Sequence, residues 1–282
     1  MAAQAVTLVA RAPIELAYRI VDVFSASPLA GNALCVVLDP TPEELMPGIA
    51  RETNLSETAF PTRTGDRSYS VRIFTPGLEL PFAGHPTLGT AWLMGPGRWT
   101  QRSAGAEVTV IADEHGATFS VPLPTLTEFD GEGPATALGL RPGDAGSARS
   151  AFLAESGGMR HIIVPTEQDI SDLHPDAAAV VVQTRIHGPA TLCVVRPLGD
   201  EVLQVRVFVP DAGIPEDPGT GSAAGPIGIL ARRVFGTSTR LTINQGDEIG
   251  RPCRLSVEIG SDSVSVGGRV SACAEGRFTL QL

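Results

Sequence analysis

The sequence contains no lysine, since all 21 of its basic residues are arginine. Pyridoxal-phosphate enzymes and Schiff-base aldolases need a lysine amine to form their covalent intermediates. The Walker-type phosphate-binding loop also depends on a lysine. Any enzyme encoded here must therefore do its chemistry without these devices, and we expect no cofactor.

Other absences narrow the function further. The formal net charge is −10, which disfavours nucleic acid and anionic membranes as partners because both bind cationic surfaces. No apolar run approaches the ~18 residues of a membrane span, and no signal peptide is evident. The chain has four cysteines and no C-x-x-C pair; they are Cys35, Cys193, Cys253 and Cys273. We therefore expect them to be buried apolar residues that bind no metal, in a protein of a reducing, cytoplasmic location.

An internal repeat is the main feature that is present. Residues 72–91 and 206–223 each read as an apolar strand with an Arg-x-Phe-x-Pro motif, a proline-containing turn and a helix of small residues. The two copies differ mainly at one titratable position, where His85 of the first corresponds to Asp217 of the second. This pattern indicates two half-sites that face each other across a cleft.

The order of elements predicts an α+β fold of two pseudosymmetric domains, each a curved mixed sheet wrapped around one central helix. Residues 1–127 would form the first domain and residues 128–270 the second, with 122–148 as a linker. The strand in 271–282 is a candidate to return to the first domain. The predicted principal helices are 86–94 and one that begins near 222. The predicted strands are 16–24, 34–38, 69–75, 107–112, 117–121, 161–164, 179–183, 191–195, 202–209, 239–243, 254–259, 263–267 and 277–282, with a further strand-like stretch at 57–60.

The two repeated helix starts are candidate anion sites, because a helix N-terminus offers free amides and a partial positive charge. His85 could donate to a bound group or exchange protons with it, and Asp217 takes the corresponding place. Gly84 and Gly221 would supply backbone N–H groups to a carboxylate. Ser222 could donate to a substrate oxygen or cap its helix.

Glu57 is the third candidate for acid–base chemistry. It lies in an otherwise apolar, strand-like context, where partial desolvation would raise its pKa towards neutrality and suit it to proton transfer. An exposed strand glutamate is the ordinary alternative. The other histidines, at 115, 161, 174 and 187, have the sequence neighbours of loop or strand-end residues.

Together these segments resemble the PhzF-like family, named for the phenazine-biosynthesis isomerase, within the diaminopimelate-epimerase-like fold. The segments that carry the resemblance are 23–38, 54–60, 72–91 and 216–223. The resemblance implies that Glu57 is the main acid–base residue, that His85, Asp217 and Ser222 complete the site, and that the site lies between the domains. It also implies a homodimer. The paired thiols of the related epimerases are replaced here by Ala83 and Asp217.

The resulting hypothesis is a cofactor-independent isomerase that moves a proton within a small carboxylate-bearing metabolite, and the family resemblance suggests a role in secondary-metabolite biosynthesis. Glu57 would abstract the proton and return it to another carbon on the same face. Two alternatives stay open at this point. One is epimerisation at a single carbon, with Glu57 and Asp217 as bases on opposite faces. The other is a member of the family that binds a small acid without converting it.

Overall fold

A computed structural model describes residues 12–141, 150–188, 190–210 and 214–281. Within these ranges all strands belong to one continuous sheet. The strands are β1 (Ile14–Val23), β2 (Asn32–Val37), β3 (Glu57–Gly65), β4 (Ser68–Phe74), β5 (Glu79–Leu80), β6 (Gly97–Arg102), β7 (Glu107–Ala112), β8 (Gly116–Pro122), β9 (Leu126–Asp130), β10 (Ser150–Ser156), β11 (Met159–Pro165), β12 (Ala190–Pro197), β13 (Val202–Val209), β14 (Ile214–Asp217), β15 (Arg240–Gln245), β16 (Cys253–Ile259) and β17 (Ser263–Leu280). The helices are α1 (Met46–Thr53), which follows a 3₁₀ turn at Glu43–Leu45, α2 (Gly84–Met94), α3 (Glu132–Leu138), α4 (Ala177–Ile186) and α5 (Gly221–Phe235).

The first half of the chain closes into a barrel around α2. Its ring of paired strands runs β1–β2–β3–β4–β6–β7–β8–β17 and back to β1. The last strand, β17, therefore belongs to this ring although it lies at the other end of the sequence. Helix α2 contacts strands around the ring, and every residue from Gly84 to Ala91 is buried. An uncharged helix of small and apolar residues is the kind that can be enclosed in this way.

The second half repeats this plan around α5. In the first half, β2 and β3 are parallel, β3 and β4 are antiparallel, and β4 and β6 are parallel. The second half has the same sequence of pairings: β11 and β12 are parallel, β12 and β13 are antiparallel, and β13 and β15 are parallel. Each repeat continues into a short hairpin strand, β5 or β14, before its central helix. Helix α5 is buried over most of its length and contacts β10, β11, β12, β16 and β17. The predicted α+β class with two central helices is confirmed.

Some of the predicted elements were wrong. Residues 179–183 are not a strand but part of α4, since the Asp176 carboxylate accepts hydrogen bonds from the Ala178 and Ala179 amides and caps a helix there. Val180 and Thr184, one turn apart, are the buried residues of that helix. The predicted linker at 122–148 contains β9 and α3 in its described part, and residues 142–149 lie outside the described ranges.

The domain boundaries stay a prediction. Strand β17 is relevant to them, because its first part pairs with β16 and β8 and its second part pairs with β1 from Val270 to Leu280. The two halves are thus joined by a shared strand, and one apolar cluster includes core residues of both, among them Leu88 of α2 and Leu230 of α5. In the ranges that the structure describes, no helix is long and apolar enough to cross a membrane.

Candidate active site

The N-termini of the two central helices meet in backbone contact. A Cβ atom placed on Gly84 would lie 2.6 Å from the carbonyl carbon of Gly221 and 2.7 Å from the amide nitrogen of Ser222. Only residues without side chains allow this approach. The positive ends of both helix dipoles are therefore directed at one place, as the repeat in the sequence predicted.

His85 and Asp217 are connected by a third residue, Asn32, which is fully buried at the start of β2. The Asn32 amide nitrogen lies 2.9 Å from Oδ1 of Asp217, 3.0 Å from the Gly219 carbonyl oxygen and 3.2 Å from Nδ1 of His85. The diverged positions of the repeat thus meet at one side chain. Asn32 belongs to the segments that carry the family resemblance, but the sequence assigned no role to it.

Glu57 contacts the other nitrogen of the same imidazole. Its Oε2 lies 3.2 Å from Nε2 of His85, and both side chains are almost fully buried. Within the described part of the chain, neither atom has a hydrogen bond of regular geometry. The carboxyl group and the imidazole are close enough for a proton to pass between them with a small adjustment.

Burial makes the neutral forms of this pair the stable ones. It raises the pKa of Glu57 well above its ordinary value, with a further contribution from the nearby Asp217 carboxylate. Burial also lowers the pKa of His85 to about 3, against an opposing hydrogen bond with the Ala33 backbone. The expectation of a desolvated glutamate is met, since Glu57 is a buried residue at the start of β3 and not an exposed one.

Asp217 lies in a dense hydrogen-bond network. Its Oδ2 accepts from the Thr220 hydroxyl at 2.6 Å, and Gln245 Nε2 donates to its backbone carbonyl at 2.7 Å. Burial raises the pKa of Asp217, and the Thr220 and Asn32 hydrogen bonds oppose that effect. The position differs from the one expected: Asp217 ends β14, and α5 begins only at Gly221, with Thr220 as its N-cap. Ser222 therefore does not cap the helix and is free for another role.

The candidate residues line one cavity of about 60 Å³. Glu57, Gly84, His85, Asp217, Gly221 and Ser222 all contribute to it. This space is smaller than the several hundred Å³ that small-molecule sites usually provide. Its wall also contains Met159 and Thr191, which the sequence had not suggested.

The environment of His161 differs from the expected loop or strand end. It is fully buried within β11, and its Nδ1 lies 2.9 Å from the hydroxyl of the cavity residue Thr191. The strand that contains it is interior to the sheet, with β10 on one side and β12 on the other. Sequence alone could not show this. The residue that precedes His161 is the polar Arg160, and the contact with Thr191 across the sheet exists only in the folded chain.

Thiol chemistry does not fit this cavity. Cys35, Cys193 and Cys253 are buried, and burial raises the pKa of Cys193 to about 12. A thiol with such a pKa is a poor base at neutral pH. No cysteine is among the residues that line the cavity. No group of three or more histidine, cysteine or acidic side chains is placed to hold a metal ion in the described ranges.

Comparison with known proteins shows the family of the chain. The family model described as phenazine biosynthesis-like protein matches residues 21–276. The chain belongs to this PhzC–PhzF family. It is 35% identical to the trans-2,3-dihydro-3-hydroxyanthranilate isomerase of Pseudomonas aeruginosa, over 93% of this chain and 99% of the relative.

Solved structures give the same result for the fold. A predicted epimerase from Pseudomonas aeruginosa superimposes with a TM-score of 0.79 at 27% identity, over 95% of this chain and 99% of the other. A hydroxyproline epimerase from Agrobacterium vitis superimposes with a TM-score of 0.62 at 13% identity, over 95% of this chain and 93% of the other, and shares the fold alone. The prediction that this member of the family is an enzyme of the isomerase class is confirmed.

Proposed function

We propose that the chain is a cofactor-independent isomerase that moves a proton within a small carboxylate-bearing metabolite. The observation that carries the proposal is the Glu57–His85 contact of 3.2 Å between two buried side chains that line one small cavity. Burial keeps the Glu57 carboxyl protonated to a higher pH than usual, and its conjugate base is correspondingly stronger. A group with a pKa moved towards neutrality can both take a proton from carbon and return it.

The other residues of the cavity would bind and orient the substrate. The substrate carboxylate would lie at the junction of α2 and α5, where Gly84, Gly221 and Ser222 line the cavity and could donate to it. His85, whose Nε2 faces Glu57, would share the transferred proton. Asp217 and Asn32 would hold the imidazole in place. Glu57 would then transfer the proton between two carbons on one face of the substrate.

The trans-2,3-dihydro-3-hydroxyanthranilate isomerases among the relatives provide the first substrate to test. Our hypothesis is that this chain acts on a small hydroxylated cyclic acid of that kind, in secondary-metabolite biosynthesis. A cytoplasmic location and a homodimer stay predictions from the sequence and the family resemblance.

Turnover in deuterium oxide tests the proposal. We expect product labelled at the carbon that receives the proton, and we expect Glu57→Gln to lower kcat by at least about 10²-fold, the usual contribution of a general acid–base group. The matched control is Glu52→Gln, which changes an exposed glutamate on α1 in the same way and should keep full activity. Unlabelled product together with an active Glu57→Gln variant would show that the proton does not pass through Glu57.

Epimerisation at one carbon is the second candidate. It would use Glu57 and Asp217 from opposite faces, and the similarity to a predicted epimerase from Pseudomonas aeruginosa favours it. Against it, both Asp217 carboxylate oxygens already accept hydrogen bonds, from Asn32 and Thr220. A chiral substrate separates the two: the epimerase would invert one centre without moving a double bond. A member that only binds its acid would give no product during long incubation.

A further inference from the structure

Thr191 occupies the position in the second half that Glu57 occupies in the first. In the antiparallel pair β3–β4, Thr58 lies opposite Phe74, and in the corresponding pair β12–β13, Leu192 lies opposite Phe208. Phe74 and Phe208 are the phenylalanines of the repeated Arg-x-Phe-x-Pro motif. The residues that precede Thr58 and Leu192 are Glu57 and Thr191, and both line the same cavity.

The pseudosymmetric partner of the acid–base residue is therefore a neutral hydroxyl group. Thr191 is 4% exposed, and the residue across the parallel β11–β12 pair is His161. His161 is fully buried, and its Nδ1 lies 2.9 Å from Oγ1 of Thr191. Glu57, in the equivalent place, has Leu34 as its cross-strand partner. The residue directly across the parallel strand pair is therefore polar for Thr191 and apolar for Glu57.

The hydrogen bonds around His161 assign the direction of the Thr191 hydroxyl. Burial lowers the pKa of His161 to about 4, so the imidazole is neutral and carries one proton. Its Nε2 has no hydrogen-bond partner among the described residues. A buried N–H without an acceptor is rarer than a bare lone pair, which places the proton on Nδ1, where it is donated to Thr191.

With one oxygen lone pair occupied by His161, the Thr191 hydroxyl keeps its own proton for another acceptor. Cys193 Sγ lies 3.3 Å from Oγ1, but sulfur is a weak acceptor. An oxygen atom of a ligand in the cavity would be the better one. In the proposed function the substrate carboxylate lies at the two helix N-termini, so the partner of Thr191 would be a second oxygen of the substrate.

We propose that Thr191 is a substrate-binding residue that donates a hydrogen bond to a hydroxyl or carbonyl oxygen of the substrate, and that His161 is the residue that positions it. This inference rests on the proposed function for the location of the carboxylate. It explains why the second half keeps a polar residue at the position of Glu57 without a second base. It also makes the oxygen substituent, and not the acid group, the feature that Thr191 selects.

Calorimetric titration with two aromatic acids tests the role of Thr191. 3-Hydroxyanthranilate and anthranilate share the carboxylate and the amine and differ by one hydroxyl. We expect the protein to prefer the hydroxylated acid about fivefold, which corresponds to about 1 kcal/mol for one hydrogen bond. Thr191→Ser should keep the preference, whereas Thr191→Val should bind the two acids equally with little change for anthranilate. Thr62→Val, at an exposed position of β3, is the matched control.

The outcomes of this titration separate the two proposals. Equal affinity of the unchanged protein for the two acids, no binding of either, or a preference that survives in Thr191→Val would overturn the role of Thr191. A preference that disappears in Thr191→Val while Glu57→Gln stays fully active would leave that role in place and overturn the proposed function instead. Binding does not require turnover, so the two results are independent.

The positioning role of His161 has its own test. His161→Phe removes the Nδ1 donor but keeps a ring, and we expect it to lose the fivefold preference although Thr191 is present. His161→Asn places an amide nitrogen close to the position of Nδ1 and should restore much of that preference. A purely structural role predicts the opposite, namely that both variants change the melting temperature and that neither changes the ratio of the two affinities.

Discussion

At the scale of single residues, the site consists of titratable groups that burial keeps neutral. Glu57 and His85 are both almost inaccessible to solvent, and their pKa values move in opposite directions, away from the ion pair. The resting pair therefore holds a proton in neutral form. No charged group has to be moved from water into the protein before that proton is transferred. The same burial has a cost, because an ionised Glu57 is disfavoured in the folded protein.

This cost predicts a pH-dependent gain in stability for Glu57→Gln. The folded-state pKa of Glu57 is raised, so its contribution to stability is complete below the ordinary carboxyl pKa and is lost as the pH rises. A neutral amide escapes that loss. We expect the variant to melt at the same temperature as the unchanged protein near pH 4 and at least about 2 °C higher at pH 8, the shift for about 1 kcal/mol in a large domain.

The control for this comparison is again the exposed Glu52, where the change to glutamine should leave the melting temperature unaltered at both pH values. A Glu57→Gln variant that is destabilised equally at pH 4 and pH 8 would contradict the raised pKa. Equal destabilisation would mean that the pKa of Glu57 is the same in the folded and unfolded states, whereas a larger destabilisation at pH 8 than at pH 4 would indicate a Glu57 carboxylate that is ionised and stabilising in the folded state.

At the scale of elements, prediction from sequence succeeded where a motif is local. The helix at 86–94 and the helix start near 222 agree with α2 and α5 to within two residues, because each is a run of small uncharged residues after a proline-containing turn. It failed at 179–183, where consecutive valines favour a strand but the Asp176 cap begins a helix.

The residues of the candidate site also differ in whether a local sequence motif could reveal them. His85, Asp217 and the adjacent glycines could be found because the repeat places them at, or a few residues before, the starts of two helices. Asn32 and Thr191 could not, since they reach the site from strands β2 and β12, far away in the sequence. Their contacts depend on how the barrels close, and no local pattern of residues records that.

The contact between α2 and α5 predicts a severe effect of one added methyl group. In Gly84→Ala the new Cβ would lie 2.6–2.7 Å from backbone atoms of Gly221 and Ser222, which cannot rotate away as a side chain could. We expect the helix ends to separate and the free energy of unfolding to fall by about 1–3 kcal/mol. We also expect 3-hydroxyanthranilate to bind more weakly.

Gly48→Ala provides the comparison within the same protein. Gly48 lies inside α1, and a Cβ there would meet no atom within 4 Å. The change should be neutral or should stabilise the protein by about 0.5–1 kcal/mol, as expected for alanine in a helix. If urea titrations gave both alanine variants the same stability, the two helix N-termini could not be in contact.

At the scale of the whole molecule, the duplicated halves share a strand and an apolar cluster, which independent domains would not. Strand β17 pairs with β16 and β8 through its first residues and with β1 through its last ones. The main apolar cluster includes core residues around both α2 and α5. The cavity lies where these helices meet, so the geometry of the site depends on both halves being folded at once.

We therefore expect the chain to unfold in a single cooperative transition. Both tryptophans, Trp92 and Trp99, lie in the first half, so their fluorescence reports on that half, whereas far-UV circular dichroism reports on helices of both. The two signals should give coincident urea curves. Leu230→Ala, in the core of the second half, should lower the free energy of unfolding by about 2–5 kcal/mol and shift the fluorescence curve as much as the dichroism curve.

Leu88→Ala is the reference for this experiment, because Leu88 is buried in α2 near the tryptophans and should move the fluorescence curve whether or not the halves are coupled. Leu230→Ala is the decisive variant. Since it lies on α5, it can change the fluorescence midpoint only if unfolding of the second half removes the support of the first. A fluorescence curve that stays in place while the dichroism curve splits would show two halves that unfold independently. The site would then have to be understood as an interface between two domains and not as part of one cooperative core.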